Sequence, residues 1–69
     1  MVQQATEQML LRILEIIEKE PGVRPSEINR RLGLAQSDSL RAALIRRGLV
    51  RKERRGAAIH LYSTGSASR

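Results

Sequence analysis

The chain contains no cysteine, tryptophan or phenylalanine, and only one tyrosine, Tyr62, and one histidine, His60. Without cysteine there can be no disulfide staples and no thiolate metal sites. With a single imidazole, a structural zinc has too few ligands, so no cofactor is expected. The scarcity of aromatics also argues against two kinds of nucleic-acid binder. Single-stranded binders display several rings as stacking platforms, and RNA-recognition sheets need them too. Long apolar runs are missing as well. Met9 to Ile17 is the most apolar stretch, yet Arg12 and Glu15 interrupt it and Glu7 stands just before it. It reads as neither a membrane span nor a signal peptide, and the expected location is the cytoplasm. There is no glycine-rich phosphate loop, nucleophile elbow or histidine-carboxylate metal spacing. His60 and Ser63 lie three residues apart without an orienting acid nearby, which does not make a nucleophilic pair. No enzyme is expected, and no small-molecule ligand is evident.

Sixty-nine residues make one domain, and a chain this short buries only about 60% of the surface that its unfolded form exposes. Hydrophobic residues make up 41% and are almost all Leu, Ile, Val and Ala, which gives an aliphatic, helix-friendly core. Net charge is +6, from 13 Lys+Arg against 7 Asp+Glu, and eleven of the thirteen cations are arginine. The charge is unevenly placed. Residues 1–20 carry Arg12 and Lys19 against Glu7, Glu15, Glu18 and Glu20, a balance of −2. Residues 46–55 carry Arg46, Arg47, Arg51, Lys52, Arg54 and Arg55 against Glu53, a balance of +5. Such a concentration is the electrostatic footprint of a phosphate-binding surface; a merely solvated basic face is the plainer alternative.

Periodicity and punctuation predict three helices. The first spans about 5–19 and stops at Pro21-Gly22. Leu10, Ile13, Leu14 and Ile17 recur at i, i+3, i+4, i+7 and form a core-facing stripe. Val2, Met9, Ile13 and Ile16 form a second stripe, a candidate dimer interface, unless Met9 and Ile16 simply widen the core face. The second helix spans about 25–32, with Pro25 at its first position and Glu27 in its first turn. Arg24 stands where a capping residue would, at a cost of roughly 1 kcal/mol, or Ser26 caps a later start. Gly33 ends this helix in a left-handed turn. The third helix spans about 38–47, with Ser37 as its cap. Leu40, Ala43 and Leu44 fall on one side of it, and Asp38, Arg41, Ala42 and Ile45 on the other.

Gly48 closes the third helix, and 49–62 reads as a hairpin. A loop of Arg55-Gly56, or one from Arg54 to Ala57, sets a single register, with Val50 opposite Leu61, Arg51 opposite His60 and Lys52 opposite Ile59. Val50, Ile59 and Leu61 then cover the core, while Arg51, Glu53, His60 and Tyr62 face outward. Residues 63–69 (STGSASR) are small and polar and are expected to form a disordered tail.

The order of these pieces is more telling than any one of them. A helix start (PSEI), a glycine break (RLGL), a second short helix (SDSLRAALIRR) and a basic, glycine-tipped hairpin (RKERRGAAIHLY) follow in sequence. Over about forty residues this resembles the winged helix-turn-helix, as found in MarR/ArsR-like small transcriptional regulators, with the first twenty residues supplying the preceding helix. The resemblance implies a mainly α fold with a small β-hairpin wing, spanning 1–62. It also implies sequence-specific binding of double-stranded DNA by a homodimeric transcriptional regulator. The third helix would read bases through Gln36, Ser37, Ser39, Arg41 and Ala42. Arg24, Arg30, Arg31, Arg46, Arg51, Lys52, Arg54 and Arg55 would contact the DNA backbone. Two other functions suit the same residues: a protein-protein adaptor that sets the basic wing against an acidic partner, and recognition of structured RNA by shape.

Overall fold

A computed structural model describes residues 2–65, with side-chain placement from residue 6 onward. Three helices, α1 (Val2–Lys19), α2 (Pro25–Leu32) and α3 (Asp38–Arg46), precede two strands, β1 (Val50–Arg55) and β2 (Ala58–Ser63). This is the winged helix-turn-helix topology. The strands form an antiparallel hairpin. On the far side of β2, Val23 adds one bridge: Gly22 N donates to Leu61 O at 2.8 Å and Leu61 N donates to Val23 O at 3.0 Å. The chain between α1 and α2 thereby anchors the wing to the helices.

The core is the stripe expected of α1, namely Leu10, Ile13, Leu14 and Ile17, closed over by Val23, Ile28, Leu44, Val50 and Leu61. Burying each such side chain is worth about 1.5–3 kcal/mol. Met9 and Ile16 pack against this cluster. Ile13, Met9 and Ile16 of the second stripe therefore serve the same core as the first, because the helix meets α3 and the hairpin together.

α2 keeps its expected bounds. It begins at Pro25 behind an extended Arg24 that offers no side-chain cap, and it ends at Gly33, whose φ of 66° is left-handed. Leu34 N then donates to Asn29 O at 2.8 Å, which turns the chain toward α3. The start of α3 departs from expectation. Ser37 holds the position before the helix, but its ψ of 26° turns its hydroxyl away from the amides it was expected to cap. Gln36 Oε1 accepts from Asp38 N at 2.8 Å instead.

The hairpin register also differs from the expected one. The pairs are Val50 with Ser63, Arg51 with Tyr62, Lys52 with Leu61, Glu53 with His60, Arg54 with Ile59 and Arg55 with Ala58. The two-residue loop is thus Gly56-Ala57. Gly56 takes φ 61° and no non-glycine residue has positive φ, the pattern of a type II′ turn with glycine at its first central position. The slip is two residues, a full pleat period, so every side chain keeps its expected face. The hairpin also runs further than expected. Ser63 ends β2, and Thr64 N donates to Leu49 O at 3.0 Å; the rest of the expected tail, 66–69, lies outside the described residues.

Ion pairs tie the periphery. Arg47 donates to both carboxylate oxygens of Glu7, at 3.0 and 2.6 Å, joining the end of α3 to α1. Arg31 bridges Glu20, at 2.6 Å, and Glu27, at 3.2 Å. Glu53 lies between Arg51 and Arg55. Hydrogen bonds from Arg47, Arg31 and Arg51 hold the carboxyls of Glu7, Glu27 and Glu53, respectively, below the usual glutamate range. Carboxyls with lowered folded-state pKa values stabilise the fold above the unfolded value of about 4.3, and lose that contribution as pH falls through the lowered values. The urea midpoint is therefore expected to fall on acidification below about pH 4.3. In a Glu7→Gln/Glu27→Gln/Glu53→Gln variant this dependence should be flatter; an identical pH profile would deny these pairs a role in stability.

Candidate nucleic-acid interface

The wing sets its two faces by alternation. Lys52, Arg54 and Ile59 share the face of Val50 and Leu61, which turns toward the helices. Near α3 that face is apolar and buried; toward the tip it continues as long cations. Two clefts flank it. One lies between the start of α2 and the wing tip and is lined by Arg24, Pro25, Ser26, Arg55, Ala58 and Ile59, among others. The other lies between α3 and the wing and is lined by Asp38, Arg41, Ala42, Ile45, Lys52 and Ile59. Ile59 lines both, so the two clefts adjoin at the wing, one toward the start of α2 and the other toward the outer side of α3. Sequence reasoning gave Ile59 to the core alone. The structure leaves it half-buried, with one side on the core cluster and another on the clefts.

The residues expected to contact a nucleic-acid backbone divide into two groups. Among the described residues, Arg24, Arg46, Lys52 and Arg54 form no salt bridge. Arg30 and Arg31 are held by Glu27, and Arg31 also by Glu20. Arg51 and Arg55 share Glu53, and the Arg51 guanidinium lies 4.8 Å from the centre of the Tyr62 ring. Charge free to meet an external anion is thus narrower than the basic composition suggests.

The residues expected to read bases are also unequal. Ser39 is exposed and Ala42 lines the α3 cleft. Gln36 is exposed, although its carbonyl oxygen is occupied by Asp38 N. Ser37 is a correction. It is only 1% exposed, and its hydroxyl accepts from Arg41 Nε at 2.9 Å, so it supports the helix start and cannot itself reach a ligand. Arg41, whose side chain is 16% exposed, also pairs with Asp38.

Of the proposed dimer stripe, Ile13 is corrected, while Met9 and Ile16 are half-buried. Ile13 is 0% exposed, and Met9 and Ile16 pack on the core; the side chain of Val2 lies outside those described. The exposed large apolar side chain of α1 is Leu11, at 63%. Leu11→Ala is expected to change stability by less than about 0.5 kcal/mol, as exposed substitutions do. Met9→Glu with Ile16→Glu should lower the melting temperature by forcing charge against the core. Wild-type stability in the double variant would return those residues to the surface.

His60 Nδ1 lies 2.8 Å from Gly22 O and so fastens the wing to the α1–α2 connection. Ser63 Oγ accepts from Gly65 N at 3.2 Å. Among the described residues there is no cluster of three or more metal-ligating side chains, and no helix is long and apolar enough to cross a membrane. The chain matches no family model, and neither a curated protein nor a solved structure matches it.

Proposed function

We propose that this chain binds double-stranded DNA with sequence preference and acts as a small transcriptional regulator. The observation that carries this reading is the pair of clefts that meet at Ile59 of the wing, with Arg24 lining the one beside α2, Lys52 lining the one beside α3 and Arg54 on the same wing face as Lys52. A helix of about 10–12 Å diameter fits the B-DNA major groove, which is about 12 Å wide. With α3 there, the wing and the start of α2 would reach flanking phosphates. The lone tyrosine, committed to Arg51, disfavours recognition by base stacking. If two copies pair through α1, exposed Leu11 and the half-buried Met9 and Ile16 are available to the contact, whereas Ile13 is taken by the core.

Fluorescence anisotropy with duplex DNA, hairpin RNA and an acidic peptide, each across a salt series, tests the reading. Duplex DNA is expected to bind most tightly and with a steep salt dependence. Preference for the RNA would move the function to structured RNA. Binding of the peptide alone would favour the adaptor role, in which Asp38, Ile45 and Ile59 form a partly apolar docking surface.

A further inference from the structure

We infer that Arg41 reads guanine, and that Ser37 and Asp38 hold its guanidinium in position for that contact. The inference rests on the DNA-binding reading and assigns the specificity of the same surface. Arg41 Nε donates to Ser37 Oγ at 2.9 Å, and Nη2 donates to Asp38 Oδ1. These two bonds occupy one edge of the planar group. The end edge, formed by Nη1 and the second N–H of Nη2, keeps two parallel donors. Guanine offers two acceptors, O6 and N7, side by side in the major groove, and a bidentate arginine is the commonest specific contact to them.

Three features favour base reading over a phosphate contact. The side chain lines the cleft between α3 and the wing, beside Ala42, Ile45 and Ile59, and so has access to a groove. Its charge is matched by Asp38, which is 79% exposed. A neutral pair has little long-range attraction for phosphate, yet it retains directional donors, and these are what an uncharged base edge recognises. Its geometry is also fixed before any ligand arrives. Ser37 is 1% exposed and Arg41 is bonded to it and to Asp38, so much of the rotamer freedom that an exposed arginine surrenders on binding is already lost on folding. The same arrangement accounts for Asp38, a carboxylate facing a polyanion, which is otherwise unfavourable for affinity. It acts as a positioning residue.

The test begins by selecting a preferred duplex from a random pool and then replacing each of its guanines singly with 7-deazaguanine, which lacks the N7 acceptor. Wild type is expected to lose about 5- to 150-fold at one guanine, the range for a bidentate pair. Arg41→Ala should abolish that discrimination, and Arg41→Lys, which lacks the planar pair of donors that Ser37 and Asp38 orient, should weaken it. The lysine keeps the charge, so its binding to random duplex should survive. Asp38→Ala is the decisive variant. Charge alone predicts tighter binding to all duplexes with the guanine preference unchanged; positioning predicts that the preference collapses while random-duplex affinity holds or rises. Asp38→Asn, which keeps an acceptor at Oδ1, should restore much of the preference. Thermal melts confirm that each variant is folded. If 7-deazaguanine is silent at every position although the duplex binds, or if Asp38→Ala leaves the preference intact, the inference fails and the DNA-binding reading stands. If wild type binds no duplex at all, both fall.

Discussion

Replacing Arg24, Lys52 and Arg54 together with alanine is expected to weaken binding to every duplex by a similar factor. The slope of log affinity against log salt should fall by about 2.7 units, at about 0.9 per phosphate contact. These three combine exposure, placement in or beside the two clefts and, among the described residues, the lack of a carboxylate partner. A cation that already holds a glutamate must give up that pair to meet a phosphate, so its net contribution is smaller. Replacing Arg30, Arg31 and Arg51 instead should therefore lower the slope by less, although the formal charge removed is the same. Equal slopes for the two triple variants would mean that total charge, and not the pairing pattern, governs association. The first variant should retain wild-type stability to within about 0.5 kcal/mol, because all three side chains are exposed and, among the described residues, form no salt bridge.

Leu61→Ala is expected to remove about 2–5 kcal/mol of stability. Leu61 is 0% exposed and sits where β2, Val23 and α1 meet, so truncation leaves a cavity that the backbone bonds to Gly22 and Val23 prevent from collapsing. A domain of this length has on the order of 3–10 kcal/mol in total, at about 0.05–0.15 kcal/mol per residue. A substantial unfolded population in the absence of denaturant is therefore expected, seen as loss of helical circular dichroism and a low urea midpoint. Ile59→Ala, at a half-buried position on the same strand, should cost less. A Leu61→Ala midpoint within measurement error of wild type would contradict the position given to this residue at the centre of the fold.

What the sequence made legible was what neighbouring residues decide. The Leu10, Ile13, Leu14, Ile17 stripe follows from helical period alone, and α2 is framed by Pro25 and Gly33. For the hairpin, alternation carried the choice of face but not the register, because pairings two residues apart bury the same side chains. Gly56 serves equally well at the first or second loop position on sequence grounds, and the structure places it at the first. The site shows the same division. Asp38 and Ser37 stand three and four residues before Arg41, a spacing at which helical side chains meet, so their contact was within reach of the sequence. That Ser37 would be buried was not, since this depends on how α3 settles on the core. The pair between Glu7 and Arg47, forty residues apart, left no local trace. The second stripe of α1 was open to two readings for a related reason: an apolar face wider than one partner requires looks surplus until two elements are seen to share part of it.

The position of β1 has a consequence for how copies of the chain meet one another. Its partner lies on one side only, and among the described residues no strand covers its other side. A row of unpaired backbone groups of that kind is a template for strand addition and aggregation. Here five of the six residues are charged: Arg51, Lys52, Glu53, Arg54 and Arg55. If two such edges paired antiparallel about Glu53, Arg51 would lie opposite Arg55, Lys52 opposite Arg54, and Glu53 opposite itself. A parallel in-register pairing would set each charge against its own kind. Like charges directly opposite are destabilising in either arrangement, so the residues that give the wing its positive charge also disfavour these two pairings with another wing.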